Sequence, residues 1–154
     1  MDFELLNKKV EEIVSSSDKY KTEGNVATYI PELANVDEDN FGLAIVAVDG
    51  KVILSGDTDL RFSIQSISKV ISFIMAMEDN GKDFVLEKVG TESSPFAFND
   101  VRTITTKAAN PFVNAGAITT TSLIKGNDTE EKFQRFMDKI KLLSGDEEVA
   151  FMEK

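Results

Sequence analysis

Ser66 and Lys69 stand three residues apart in the run Phe62-Ser63-Ile64-Gln65-Ser66-Ile67-Ser68-Lys69, where a strand-like stretch gives way to a helical one. The chain has no histidine and no cysteine, which removes Ser-His-Asp triads, Cys-His pairs and His or Cys metal sites from the inventory. A serine activated by lysine or tyrosine is the covalent chemistry that remains. Ser-x-x-Lys by itself says little, because Ser16 with Lys19 and Ser122 with Lys125 repeat it. Lys19 belongs to a polar helix end, and Ser122 lies near a Gly-Asn-Asp turn with no strand before it. Only Ser66 has the setting the chemistry wants. On a helix, residues i and i+3 share a face, so Lys69 can reach the hydroxyl. Free N–H groups at the helix start favour a developing oxyanion. An apolar setting of Phe62, Ile67, Val70 and Phe73 would favour the neutral amine that takes a serine proton. From spacing alone, a helix-start serine beside a snorkelling lysine remains the more ordinary reading.

A second stretch, Asn110-Pro111-Phe112-Val113-Asn114-Ala115-Gly116-Ala117-Ile118, surrounds an amide with small residues. Asn114 offers a donor and an acceptor, which suits a zwitterionic amino-acid substrate. Both asparagines serve equally well as caps around a proline turn. Asp37-x-Asp39 starts like a calcium loop, but Phe41 and Val48 occupy positions that need oxygen ligands, so no metal is expected there. The acidic runs Glu130-Glu131 and Asp146-Glu147-Glu148 read as solvated faces, and no phosphate-cradling glycine loop is present.

The elements that must position these groups follow from periodicity. Phe3, Leu6, Val10, Ile13 and Val14 fall at helical spacing, predicting an amphipathic N-terminal helix over 3–14. Val26 to Ile30 predicts a short helical turn that Pro31 cuts off. The run Phe41–Val48 is apolar nearly throughout, as in a strand buried on both faces. Asp49-Gly50 then turns the chain into Lys51–Ser55, a hairpin signal. From Ile64 to Asn80, Ile67, Val70, Ile71, Ile74 and Met77 share a helical face that stops at Gly81. Lys82–Thr106 is weakly periodic and reads as short helices and loops, and Val113–Leu123 as a buried helix. Asp128 or Thr129 caps a last helix with Phe133, Phe136, Met137, Ile140 and Leu143 on one face, and Gly145 sits near its end. One hairpin with several helices makes the front half of an α+β or three-layer fold.

The length of 154 residues suits one domain, and 42% apolar residues are enough for a folded core. A formal charge of -10 repels phosphate backbones and anionic headgroups, so neither nucleic acid nor membrane is expected as a partner. No apolar run approaches a bilayer span, the start Met1-Asp2-Phe3-Glu4 is no signal peptide, and the lack of cysteine fits a cytoplasmic protein.

Four motifs in order and roughly in register resemble the serine-dependent glutaminases. They are Tyr29-Ile30-Pro31-Glu32-Leu33-Ala34, Phe41-Gly42-x-Ala44-Ile45-Val46-x-Val48-Asp49-Gly50, Phe62-x-Ile64-Gln65-Ser66-Ile67-Ser68-Lys69 and Asn110 to Ile118. Leu142 to Val149 also fits the family pattern, so the resemblance covers the chain from about Lys21 onwards. It implies a β-lactamase-like α+β fold: a partial antiparallel sheet with an N-terminal hairpin plus a helical subdomain, the C-terminal strands missing, with residues 1–154 as a single N-terminal portion of the catalytic domain. It implies hydrolysis of L-glutamine to glutamate and ammonia through a glutamyl-serine ester. Ser66 would be the nucleophile and Lys69 its activator, with Tyr29, Gln65, Ser66 and Asn114 lining the substrate site. No metal or organic cofactor is implied, although phosphate often activates such enzymes.

Family catalytic domains are about twice this length. The remaining ligands, assisting tyrosines and second oxyanion donor lie beyond the point matching Lys154, which weakens the expectation that the chain turns over alone. A non-catalytic module that dimerises or binds a longer homologue through an exposed sheet edge is the alternative, and self-association is expected in either case. A penicillin-recognising enzyme is a third reading, disfavoured by the contexts of Tyr29, Gln65 and Asn114.

Overall fold

The computed structural model describes residues 2–151. The chain divides into two compact units, Met1–Phe62 and Ser63–Lys154, each built around its own elements.

In the first unit, α1 (Phe3–Ser17) starts at Asp2, whose Oδ1 accepts from the Leu5 N–H at 3.1 Å. This cap satisfies one of the free donors of the first turn. α1 packs on a hairpin of β1 (Gly42–Val46) and β2 (Val52–Gly56), paired antiparallel with Ile45 opposite Ile53 and Val46 opposite Val52. Val10 of α1 and Ile53 of β2 are the buried apolar residues here, at 1% and 4% exposure. Ile13, expected on the packed face, is exposed.

Two further expectations are corrected in this unit. Residues 24–28 are not helical; Pro31 opens a 3-10 turn, Pro31–Asn35, rather than ending one. The reason is steric: a residue before proline is pushed out of the α region, and Ile30 is extended at φ -122, ψ 125. Nor is the strand buried on both faces. Leu43 and Ile45 are half-buried while Ala44 and Val46 face outward, Val46 at 71% exposure. The hairpin itself forms, with a longer loop than Asp-Gly alone demands. Gly50 N–H donates to the Ala47 carbonyl and Ala47 N–H to the Lys51 carbonyl, both at 2.9 Å, and Gly50 takes φ 82 to close it.

The second unit is helical. α2 (Ser68–Asn80) follows a 3-10 turn, Gln65–Ile67, and is joined by α3 (Lys82–Lys88), α4 (Asn114–Ser122) and α5 (Thr129–Ser144). One buried cluster holds Ala76, Val85, Val89, Ala108 and Val113, and another holds Ile71, Met75, Ile124 and Ile140. α2 contributes to both, so its buried residues are Ile71, Ser72, Met75 and Ala76, whereas Ile67 and Val70 are exposed. The expected stripe was displaced because this helix is packed on two flanks rather than one. In α4, Gly116 and Thr120 are buried but Ile118 is 72% exposed, so that helix is only partly buried.

α5 begins as its sequence requires: the Asp128 carboxylate accepts from the Glu131 N–H at 2.8 Å, and Gly145 closes it at φ 69. Its Phe133 and Leu143 are exposed, leaving Ile140 as the fully buried residue of the face. Arg135 clamps Asp79 of α2 through two hydrogen bonds of 2.9 and 2.7 Å, and the Lys125 N–H adds a third at 2.7 Å. These bonds, the guanidinium pair foremost, hold the Asp79 carboxyl below the ordinary carboxylate range. Among the described residues, five α-helices and a two-stranded antiparallel sheet make an α+β fold.

Candidate functional site

The site is built where the two chemistry-bearing stretches of the helical unit meet. Ser66 lies in the 3-10 turn Gln65–Ile67 immediately before α2, on exposed backbone. Gln65 adopts φ 45, the only positive value at a non-glycine among the described residues. Left-handed backbone at such a residue costs about 1 kcal/mol. Its carbonyl accepts from the Ser68 hydroxyl at 2.7 Å, and its Nε2 donates to Ser63 Oγ at 3.2 Å.

Lys69 sits in the first turn of α2, half-buried. Its Nζ donates to Asn114 Oδ1 at 2.7 Å and to the Phe112 carbonyl at 3.0 Å, and lies 5.3 Å from the centre of the Phe98 ring. Among the described residues none of its hydrogen bonds goes to the Ser66 hydroxyl. The apolar setting also differs from expectation: Phe62, Ile67 and Val70 are exposed, while Phe73 meets Phe112 edge-on at 6.1 Å.

The Asn110–Asn114 segment shows why these acceptors stand where they do. Asn110 takes the turn role, its Oδ1 accepting from the Phe112 and Val113 N–H groups at 3.0 and 3.1 Å and its Nδ2 donating to the Glu92 carbonyl at 2.8 Å. The backbone of Asn114 is fixed by its N–H to the Phe98 carbonyl at 2.7 Å. Its side chain does not cap α4 and is left for Lys69. Gly116 permits this fold-back, because a Cβ there would run into the backbone carbonyl of Asn110. The two asparagines, equivalent by spacing, are therefore divided by the structure into a turn former and a lysine partner.

Tyr29 belongs to the other unit, on a bend before Pro31, with 74% exposure. The structure thus brings Lys69 and Asn114 into contact, with Gln65 and Ser66 on the turn leading into the same helix. The Phe112 carbonyl and the Phe98 ring are parts of the site that sequence reasoning missed. Phe98 carried no signal, since it sits in a stretch without periodicity. Among the described residues, no group of three His, Cys, Asp or Glu side chains could hold a metal ion, and no helix is long and apolar enough to cross a membrane.

Comparison with known proteins adds an independent line. The glutaminase family model matches residues 24–154. A glutaminase of Clostridium tetani is 44% identical over 153 residues, 97% of this chain and 50% of that protein. One from Fusobacterium nucleatum is 43% identical over 142 residues, 90% of this chain and 47% of that protein. Among solved structures, the probable glutaminase ybaS superposes with a TM-score of 0.82 at 38% identity, covering 95% of this chain and 49% of the other. A probable glutaminase from Bacillus subtilis complexed with 6-diazo-5-oxo-L-norleucine gives 0.74 at 32% identity, covering 91% and 42%. The chain spans about half the length of the curated relatives it matches. A serine and a lysine at the start of one helix, an asparagine bonded to that lysine from another, and this agreement in sequence and fold lead to one assignment: the chain belongs to the glutaminase family.

Proposed function

We propose that this chain carries the nucleophile-bearing part of an enzyme that hydrolyses L-glutamine to L-glutamate and ammonia. Ser66 is the nucleophile, Lys69 the base that activates it, and Tyr29, Gln65 and Asn114 contact the substrate.

The observation that carries this reading is the pair of acceptors on Lys69. A neutral amine has two N–H bonds and one lone pair. With the N–H bonds directed at Phe112 O and Asn114 Oδ1, the lone pair is left for a serine proton. Attack of Ser66 Oγ on the side-chain amide carbon of glutamine forms a C–O bond as that proton passes to Lys69. Collapse then breaks the C–N bond, the proton follows the departing nitrogen, and ammonia leaves. Water adds to the resulting ester, releases glutamate and returns the hydroxyl of Ser66. N–H groups at the start of α2 support the developing oxyanion. A cytoplasmic location and a homo-oligomeric state belong to the same reading.

The test is ammonia and glutamate release from millimolar glutamine by the purified chain, with Ser66→Ala and Lys69→Met alongside. Each variant is expected to lose several powers of ten in rate. Turnover unchanged in Ser66→Ala would sink the assignment.

One observation favours a second reading, a non-catalytic interaction module. The outward face of the hairpin, with Ala44, Val46, Val52 and Leu54, is apolar and exposed, as at surfaces that receive another polypeptide. A folded chain that self-associates but releases no ammonia would move the assignment to this reading.

A further inference from the structure

Gln65 is left-handed at φ 45 and exposed, so burial does not enforce its conformation. Such backbone persists only where its surroundings over-determine it. Ile64 before it and Ile67 and Ser68 after it are right-handed, at φ -60, -58 and -51. A right-handed Gln65 would continue that helical path and turn Ser66 in a different direction. The left-handed step therefore sets the aim of the Ser66 hydroxyl and N–H.

Ser68 supplies the restraint. Its hydroxyl donates to the Gln65 carbonyl at 2.7 Å, and its backbone N–H donates to the same oxygen. Both lone pairs of that carbonyl are thereby directed at one residue. On the side chain of Gln65, Nε2 donates to Ser63 Oγ at the longer distance of 3.2 Å. Helix serines elsewhere bond the carbonyl three residues back, as Ser16, Ser17 and Ser122 do with Ile13, Val14 and Thr119. Those acceptors lie inside right-handed helices, where the backbone keeps its path without the hydroxyl. The acceptor of Ser68 lies outside α2, on the one non-glycine residue with positive φ among those described. We infer that Ser68 is a positioning residue: its hydroxyl holds Gln65 left-handed and so aims Ser66, an inference that rests on Ser66 being the nucleophile. Alanine is the better helix former, so Ser68→Ala does not act by weakening the start of α2.

The test uses the full chain, labelled with nitrogen-15 and carbon-13. A positive φ brings an amide proton close to its own Hα, so a strong cross-peak between the two marks left-handed Gln65. Ser68→Ala should shift the equilibrium toward the right-handed state about tenfold and weaken that cross-peak. Ser68→Thr, which keeps the hydroxyl, should restore it. Ser122→Ala, which removes the same kind of bond inside α4, should leave it unchanged. Glutamine turnover should follow the same order, with kcat at least about tenfold lower in Ser68→Ala and within about twofold of wild type in Ser68→Thr. In Gln65→Gly, where the left-handed turn forms freely, adding Ser68→Ala should cost less than about twofold in kcat. A wild-type cross-peak in Ser68→Ala, no recovery in Ser68→Thr, or a further loss of about tenfold in the double variant would overturn the inference. A wild-type chain without turnover would instead sink the proposed function, and the Gln65 cross-peak in Ser68→Ala would then decide this inference alone.

Discussion

The two units of this chain are built on different terms. The helical unit, Ser63–Lys154, holds two apolar clusters, and a bidentate Arg135–Asp79 pair ties its longest helices. The hairpin unit, Met1–Phe62, buries two apolar residues, Val10 and Ile53, among those described, and turns Val46, Val52 and Leu54 outward. A two-stranded hairpin on a single helix is marginal in water, whereas helices sharing two clusters can hold a site to fixed geometry. It is the better-cored unit that carries Ser66, Lys69 and Asn114. The contrast teaches that Ser66, Lys69 and Asn114 rest on the part of the chain with the larger interior, and the part with the smaller one presents an apolar face.

The most forceful way to break this contrast is to remove the interior that supports the site. Gly116→Val places side-chain atoms against the Asn110 carbonyl, a backbone group with little room to give. It is expected to cost about 4 kcal/mol or more, read as loss of the cooperative melt followed by circular dichroism. Retention of the wild-type Tm would mean that the close approach at Gly116 is not needed.

Hydrogen exchange sharpens the comparison without mutation. Amides of β1 and β2 should exchange at least about tenfold faster than those in the middle of α2, a difference of about 1.4 kcal/mol in opening free energy. Equal protection would show that the hairpin unit is stabilised as well as the helical one.

A smaller effect separates the units by pH. Asp79 titrates below its ordinary value because Arg135 and the Lys125 N–H bond its ionised form. A depressed carboxylate stabilises the fold above the unfolded-state pKa, and that contribution is lost as pH falls through the folded value. Acid titration should therefore open the helical unit below about pH 4. Asp79→Asn should be less stable at neutral pH and lack that acid-dependent increment. An unchanged acid profile in Asp79→Asn would remove the pair from the account.

The smallest change is expected on the outward face of the hairpin. Val46→Thr should alter stability by no more than about 0.5 kcal/mol in a denaturant melt. A loss well beyond that would mean the face is already covered in solution.

How far the sequence could be read follows the same division of physical causes. Local signals were reliable where local chemistry decides the outcome. Asp128 caps α5, Gly81 and Gly145 end their helices, and the Ser66–Lys69 spacing fell on a helix start. The exposure of Val46 was misread and the burial of Met75 went unseen because both depend on how many neighbours an element has, which periodicity does not record. The division of labour between Asn110 and Asn114 rests on the fold-back at Gly116. Loop 90–109 was opaque because its backbone is held by isolated bridges, Val89 with Ala108 and Ile104 with Ala108. Such pairings leave no repeat to find, so Phe98 gave no sign that its ring would lie beside Lys69.

The left-handed Gln65 has a consequence for how this chain can vary. At that position the backbone alone would favour glycine, and asparagine would be tolerated more readily than most residues. A longer amide there means that stability and the substrate contact proposed for Gln65 pull on one codon in opposite directions. Substitutions that make the turn easier to form remove the amide side chain beside Ser66, and those that keep a long side chain retain the strain. Position 65 is thus a place where improving the protein as a folded object and improving it as a reagent are separate undertakings.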